Sequence, residues 1–207
     1  MYTPPFYAIA DRSECLALAG ERGFGVVCAA LGDMLDAVHA PFVLDRADTP
    51  APRLRFHLAS GNGLLPMIAD GARLLIVVSG PDAYVSPDWY VSDDQVPTWN
   101  YVTVHLGGKG RILDADELRA QVDALSAVNE ARLAPKRPWT SAKMTPKRLD
   151  AMLKAITGVE MTVETIEGKH KLAQNKAHAD RQGAVAGLRD RGDAPSREIA
   201  DLMTALD

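Results

Sequence analysis

The sequence predicts a mainly β fold with appended helices, an antiparallel barrel or sandwich of the α+β class. Three observations predict it: the first half is a succession of short strand-like stretches, these are joined by turn residues rather than helices, and sustained helical periodicity begins only near residue 114. A length of 207 residues fits one domain, expected to cover residues 1–207 with helical additions at about 114–157 and 172–207. Hydrophobic residues at 47% and charged residues at 24% fit a soluble globular chain and exclude disordered and collagen-like classes.

In order along the chain, Phe24 to Leu31 and Met34 to Leu44 flank Gly32-Asp33 and read as a hairpin. Arg53 to Ala59 alternates strictly: Leu54, Phe56 and Leu58 form one face, and Arg53, Arg55 and His57 the other. Leu64 to Ala69 reads as a short helix. Arg73 to Ser79 and Ala83 to Ser86 read as two strands joined by the turn residues Gly80-Pro81-Asp82. Trp99 to Leu106 and Arg111 to Leu113 flank Gly107-Gly108-Lys109-Gly110, which reads as another hairpin. A helix is expected over Asp114 to Leu133, with Leu118, Val122 and Leu125 at helical spacing and Asp116-Glu117 suited to its positive end. After the break at Pro135 to Pro138, Thr145-Pro146 starts a second helix that Gly158 ends. Val159 to Ile166 alternates as a strand, Lys171 onward reads as helix, and Ser196 to Leu206 as a last helix.

Several chemistries are excluded by what the chain lacks. It has no GxGxxG opening a helix, no GxxxxGK[ST] and no GxSxG elbow, and its five histidines make no HxH or HxxxH pair. Cys15 and Cys28 lack metal or disulfide spacing, which with the absence of a membrane-length apolar run or signal-type N-terminus points to the cytoplasm and to no membrane partner. A net charge of −4 gives no global attraction to polyanions; residues 168–191, with six cations against Asp180 and Asp190, are a local basic stretch that is either a solvated face or an anion-facing segment.

Aromatic and polar density between residues 84 and 101 stands out, with Tyr84, Trp89, Tyr90, Trp99 and Tyr101 among Pro87 and Pro97. These residues suit a packed core or stacking on a planar ring that also needs edge hydrogen bonds. Lys169-His170-Lys171-Leu172-Ala173-Gln174-Asn175 adds long donors and amides suited to an anion or the edge of a heterocycle.

The runs Met1-Tyr2-Thr3-Pro4 with Phe6, His39-Ala40-Pro41-Phe42, His57-Leu58-Ala59 with Asn62, Ala83-Tyr84-Val85-Ser86-Pro87, Trp89-Tyr90, Val96-Pro97-Thr98-Trp99-Asn100-Tyr101 and Lys171-Leu172-Ala173-Gln174-Asn175 occur in this order. Together they resemble the PaiB-type family, the FMN-binding negative transcriptional regulators. The resemblance implies a split β-barrel like that of pyridoxamine-phosphate oxidases, usually a homodimer with FMN at the subunit interface. The chain departs from the family pattern at Ser60-Gly61-Asn62-Gly63, where Ala-Asn-Pro is usual, and at Ala173, where Ser is usual.

FMN asks for cations and hydroxyls at its phosphate, donors at the flavin edge and an aromatic wall at the ring. Arg55 is the phosphate candidate with His57 as supporting donor, and Ser86 is a further donor. Trp89 and Tyr90 are candidates to cover the ring. Trp99, Asn100 and Tyr101 are candidates to line the pocket, and Lys171, Gln174 and Asn175 to hold one cofactor edge. His39 and Asn62 are candidates for a substrate or cofactor contact. No residue stands out as a catalytic acid or base. The expected function is an FMN flavoprotein with oxidoreductase activity drawing hydride from a nicotinamide donor. The alternatives are a regulator acting on DNA directly or through a small-molecule signal, a haem protein with His39, His57 or His170 as axial ligand, and a scaffold whose cofactor site has decayed.

Overall fold

The computed structural model describes residues 1–45 and 47–206 and places strands where apolar side chains recur at a period of two. In chain order the elements are β1 (Ala8–Ile9), α1 (Arg12–Arg22), β2 (Phe24–Leu31), β3 (Met34–Asp45), β4 (Arg53–Ala59), α2 (Leu64–Ala69), β5 (Arg73–Val85), β6 (Thr98–Ile112), α3 (Ala115–Ala131), α4 (Pro146–Leu153), β7 (Ile156–Lys171), α5 (His178–Arg191) and α6 (Ala194–Thr204). The sheet order is β1-β7-β4-β3-β2-β5-β6, and β6 pairs back onto β7, so the sheet closes on itself. The pairs β1–β7, β2–β3, β2–β5, β3–β4 and β4–β7 are antiparallel. Among the described residues no helix is long and apolar enough to cross a membrane.

The chain forms two compact units: Met1–Cys15 with Ser79–Val104 and Glu167–Asp207, and Leu16–Val78 with His105–Ile166. In the second unit, alternation along β4 buries Leu54, Phe56 and Leu58, with Leu54 paired in register with the buried Met161 of β7. Its helix α3 starts on a reciprocal cap in which Asp114 accepts from the Glu117 N–H and Glu117 accepts from the Asp114 N–H, and it packs over β3 and β4. In the first unit, Ala83, Val85 and Leu172 pack with Val185, Leu188, Ile199 and Met203 of the α5–α6 pair.

Two expected turns are instead strand interior. Gly80-Pro81-Asp82 lies within β5, and a Cβ on Gly80 would come within 2.9 Å of Val102, so the glycine admits a close strand contact. Gly107-Gly108-Lys109-Gly110 lies within β6. A Cβ on Gly107 would meet Thr165 Oγ1 at 2.4 Å and one on Gly108 would meet the Thr162 carbonyl oxygen at 1.9 Å. These glycines let β6 and β7 approach and do not reverse the chain. Gly158 likewise sits in β7, against Leu113, and does not end α4. Lys171 ends β7, and the next helix starts only at His178. The sequence reading also missed α1, whose buried side chains Cys15, Leu16 and Ala19 are too small and few to give a strong periodic signal.

Candidate functional site

Within the first unit, β5, β6 and β7 carry two contrasting faces. Ala83, Val85 and Leu172 point into the core, and the Asn100 amide donates to the Met203 sulfur at 3.3 Å. The alternate positions carry Tyr84, Trp99, Tyr101, Lys169 and Lys171. Tyr84 and Trp99 meet edge to face with ring centroids 6.1 Å apart, and Trp99 is 52% exposed. Lys169 Nζ lies 5.1 Å from the Tyr101 ring centroid and 5.9 Å from that of Tyr7, and donates to the Tyr2 carbonyl at 3.2 Å. Lys171 Nζ donates to Thr98 Oγ1 at 2.6 Å. Tyr7 in turn donates from its hydroxyl to Asn175 Oδ1 at 2.8 Å.

The electrostatics of this face are unbalanced. Lys169 is only 8% exposed, and neither it nor Lys171 pairs with a carboxylate among the described residues. Burying a cation without a counter-charge is costly, so such a pair creates a strong preference for an anion. Burial pulls the Lys171 ammonium below its ordinary range; Tyr101 opposes the shift and the Lys169 charge adds to it. Burial raises the Tyr7 phenol, with Tyr101 adding, and raises the Tyr90 phenol, with Asp180 and then Tyr7 adding. The Tyr90 hydroxyl is buried without a hydrogen-bond partner among the described residues. The donor set fits a planar anion: two cations, a hydroxyl and a wall of indole and phenol rings.

Other expected site residues of this unit have structural tasks. Ser86 Oγ accepts from the Asp88 N–H at 3.3 Å and caps the turn Pro87–Trp89. Trp89 lies on a glycine notch of α5, where a Cβ on Gly187 would sit 2.3 Å from its ring and one on Gly183 would sit 2.0 Å from its carbonyl oxygen. Tyr90 is buried beneath Lys176, whose Nζ is 5.0 Å from the ring centroid. Gln174 clamps its own loop, accepting from the Leu172 N–H at 2.8 Å and donating to the His170 carbonyl at 2.7 Å, which braces Ala173 at a left-handed φ of 62°. Asp180 holds the 91–92 turn by accepting from both backbone N–H groups at 2.9 Å and from the Ser92 hydroxyl. The basic stretch 168–191 is largely engaged: Arg189 pairs with Asp201 at 3.3 Å and Arg191 with Asp193 at 2.6 Å.

In the second unit, Arg55 is committed to Asp45, its Nε donating to Oδ2 at 2.6 Å. The neighbouring Glu160 accepts from Arg53 at 3.3 Å and Arg111 at 3.0 Å, and Arg111 also forks onto Glu117. This balanced ion layer lies on β4 and β7 beside α3. His57 Nδ1 bonds Gln121 Oε1 of α3 at 3.2 Å, and burial lowers its pKa while the Gln121 bond opposes. Asn62 Oδ1 accepts from the Leu64 N–H at 2.9 Å at the start of α2. His39 is exposed and stacks on Phe24 at 6.1 Å. Sequence reasoning named Tyr84 within the aromatic stretch and Lys169 within the anion-suited run without assigning either a cofactor contact, and it did not single out Tyr7 or Thr98. A period-two pattern run back from Lys171 puts Lys169 on the same face.

A family model described as "Putative FMN-binding domain" matches residues 1–165. The chain is 30% identical over 203 residues to protease synthase and sporulation protein PAI 2 of Bacillus subtilis, covering 98% of this chain and 96% of that protein. Among solved structures, the FAD and heme binding protein of Mycobacterium smegmatis superposes with a TM-score of 0.57 at 18% identity over 80% of this chain and 73% of that one. The flavocytochrome Anf3 of Azotobacter vinelandii gives 0.53 at 17% identity over 80% and 69%. These likenesses bear out the split-barrel fold.

Proposed function

We propose, from the premise that the chain belongs to the PaiB-type family of FMN-binding domains, that it is a flavoprotein binding FMN on the aromatic–cation face of the first unit. The observation that carries this reading is Lys169, a buried ammonium beside Lys171 with no carboxylate partner for either among the described residues. The two ammonium groups and the Thr98 hydroxyl meet the negative charge of the cofactor, and Trp99, Tyr101 and Tyr84 supply the flat wall. Bound flavin supplies hydride chemistry, and the proposed activity is oxidation of a nicotinamide donor. The chain's part is to orient the ring and keep one edge positive.

The test is an absorbance spectrum of the protein after FMN loading and gel filtration, with Lys169→Gln and Lys171→Gln alongside. Each variant is expected to weaken FMN at least tenfold, about 1.4 kcal/mol. Retention equal to that of the unaltered protein overturns the placement. Bleaching of the bound flavin by NADH or NADPH separates an oxidoreductase from a passive carrier. A homodimer is proposed through the apolar sheet face of β2, β3 and β5, where Phe24, Leu35 and Leu75 are 43%, 77% and 38% exposed. Light scattering of Leu35→Glu tests it: the variant is expected to be monomeric, and an unchanged mass removes this face from the interface. No observation of comparable weight supports a haem site, with His39 on Phe24, His57 on Gln121 and His170 beside Glu14.

A further inference from the structure

The run Met1-Tyr2-Thr3-Pro4 with Phe6 is the part of the first unit that the flavin reading leaves without a task. It lies on the cation at the centre of that reading. Lys169 Nζ donates to the Tyr2 carbonyl at 3.2 Å and stands 5.9 Å from the Tyr7 ring centroid, and Ala8 of β1 is the register partner of Lys169 itself. The Tyr101 ring of β6 takes a further side at 5.1 Å, and the residue is left 8% exposed. A phosphate or flavin edge reaches this ammonium only after the segment on it has moved.

The segment is weakly tied. None of residues 1–10 is buried, so no core side chain anchors it. Beyond the short strand β1, polar contacts hold it: the Met1 ammonium on Glu167 at 2.7 Å, Lys169 on the Tyr2 carbonyl, and the Tyr7 hydroxyl on Asn175 Oδ1 at 2.8 Å. The Thr3 hydroxyl is enclosed with no partner among the described residues. Segments held by few, water-exchangeable contacts open first in a fold. Pro4, Pro5 and the turn Pro5–Tyr7, closed by the Tyr7 N–H on the Pro4 carbonyl at 2.9 Å, stiffen the piece so that it swings about β1 as one body.

We infer that residues 1–7 are a strap that closes the flavin face in the ligand-free chain, with the Tyr2 carbonyl standing in on Lys169 for the anionic ligand that displaces it. A main-chain carbonyl is a neutral acceptor, whereas a phosphate oxygen carries the opposite charge and bonds the same ammonium more strongly. The identity of that ligand rests on the flavin reading; the latch rests on Lys169 and Tyr7 alone. The coupling is reciprocal, so a change that loosens the strap tightens the ligand.

Hydrogen–deuterium exchange of the full chain, read on a peptide covering residues 2–10, tests the latch without cofactor. Lys169→Met removes the donor to Tyr2, and Tyr7→Phe removes the hydroxyl on Asn175. Each is expected to speed exchange there by roughly threefold or more, the scale of one hydrogen bond. Lys171→Met, whose ammonium bonds Thr98 instead, leaves it unchanged, and unaltered exchange across Phe24–Asp45 shows that the variants stay folded. Equal exchange in the parent, Lys169→Met and Tyr7→Phe overturns the inference. Saturating FMN is then expected to speed exchange of the same peptide in the parent, where a ligand that merely packs on the segment slows it. Tyr7→Phe is expected to bind FMN about threefold more tightly. Slower exchange with FMN, or weaker binding by Tyr7→Phe, overturns the strap and leaves the flavin reading standing. A parent that retains no FMN overturns the flavin reading, and inorganic phosphate then decides the strap: faster exchange keeps it and unchanged exchange removes it.

Discussion

Replacing Gly108 by Ala tests whether the glycines of β6 exist for close strand approach. The added Cβ would stand 1.9 Å from the Thr162 carbonyl oxygen, where ordinary contact begins at 3.4 Å. The strands must therefore part by roughly 1.5 Å, enough to break the neighbouring ladder bonds. Two bonds at about 1 kcal/mol each, with about 1–3 kcal/mol of overpacking, give a loss of roughly 3–5 kcal/mol. At about 2–4 °C per kcal/mol for a chain of this size, the melting temperature should fall by roughly 6–20 °C. Gly61→Ala is the matched control, because a Cβ there meets nothing within 4 Å and the backbone is not left-handed. It should be neutral or stabilising by about 0.4–1 kcal/mol. Urea and thermal melts of both variants read the difference. A Gly108→Ala protein within 2–3 °C of the parent, roughly the effect of 1 kcal/mol, would refute the reasoning.

Three further outcomes follow from the packing and the charges. Burial depresses the pKa of His57 and of His170, so the unfolded chain takes up protons first as pH falls. Stability is then full above about pH 6.5 and declines below it as pH falls through the depressed folded values, and His57→Gln should flatten part of that decline in melts from pH 8 to 5. Gly187→Ala drives a methyl into the Trp89 ring and should cost about 1–3 kcal/mol despite a better helix former, with a changed Trp emission spectrum as a second readout. Glu160→Ala strips a shared acceptor from Arg53 and Arg111 and should lower stability by about 1–3 kcal/mol in denaturant titration.

The legible parts of the fold were those where one rule acted alone. β4 was read to its ends because Leu54, Phe56 and Leu58 alternate without interruption, and α2 because a short apolar run follows Asn62-Gly63. Gly107 to Gly110 were misread because a glycine run signals a turn locally, while Gly107 and Gly108 answer to a partner strand more than fifty residues away. The same limit touched the candidate site. Trp99, Tyr101 and Lys171 were picked out by residue type, but ending the last strand at Ile166 hid the register that sets Lys169 beside them. Arg55 was taken for a free cation because its partner Asp45 lies on the adjacent strand, which sequence spacing does not reveal.

The first compact unit is assembled from Met1–Cys15, Ser79–Val104 and Glu167–Asp207. During synthesis, β1 cannot meet its partner residues Gly168 and Lys169 until about 160 further residues have been added, which at ~5–20 residues per second is roughly 8–32 s. Ala8 and Ile9 stay without their strand partners for that interval. Nor can the core of this unit close before the last helix has left the ribosome, since Ile199 and Met203 complete it. A ribosome stalled before Ile199 would thus hold a chain able to form the β2–β3–β4 meander but not the closed core of this unit.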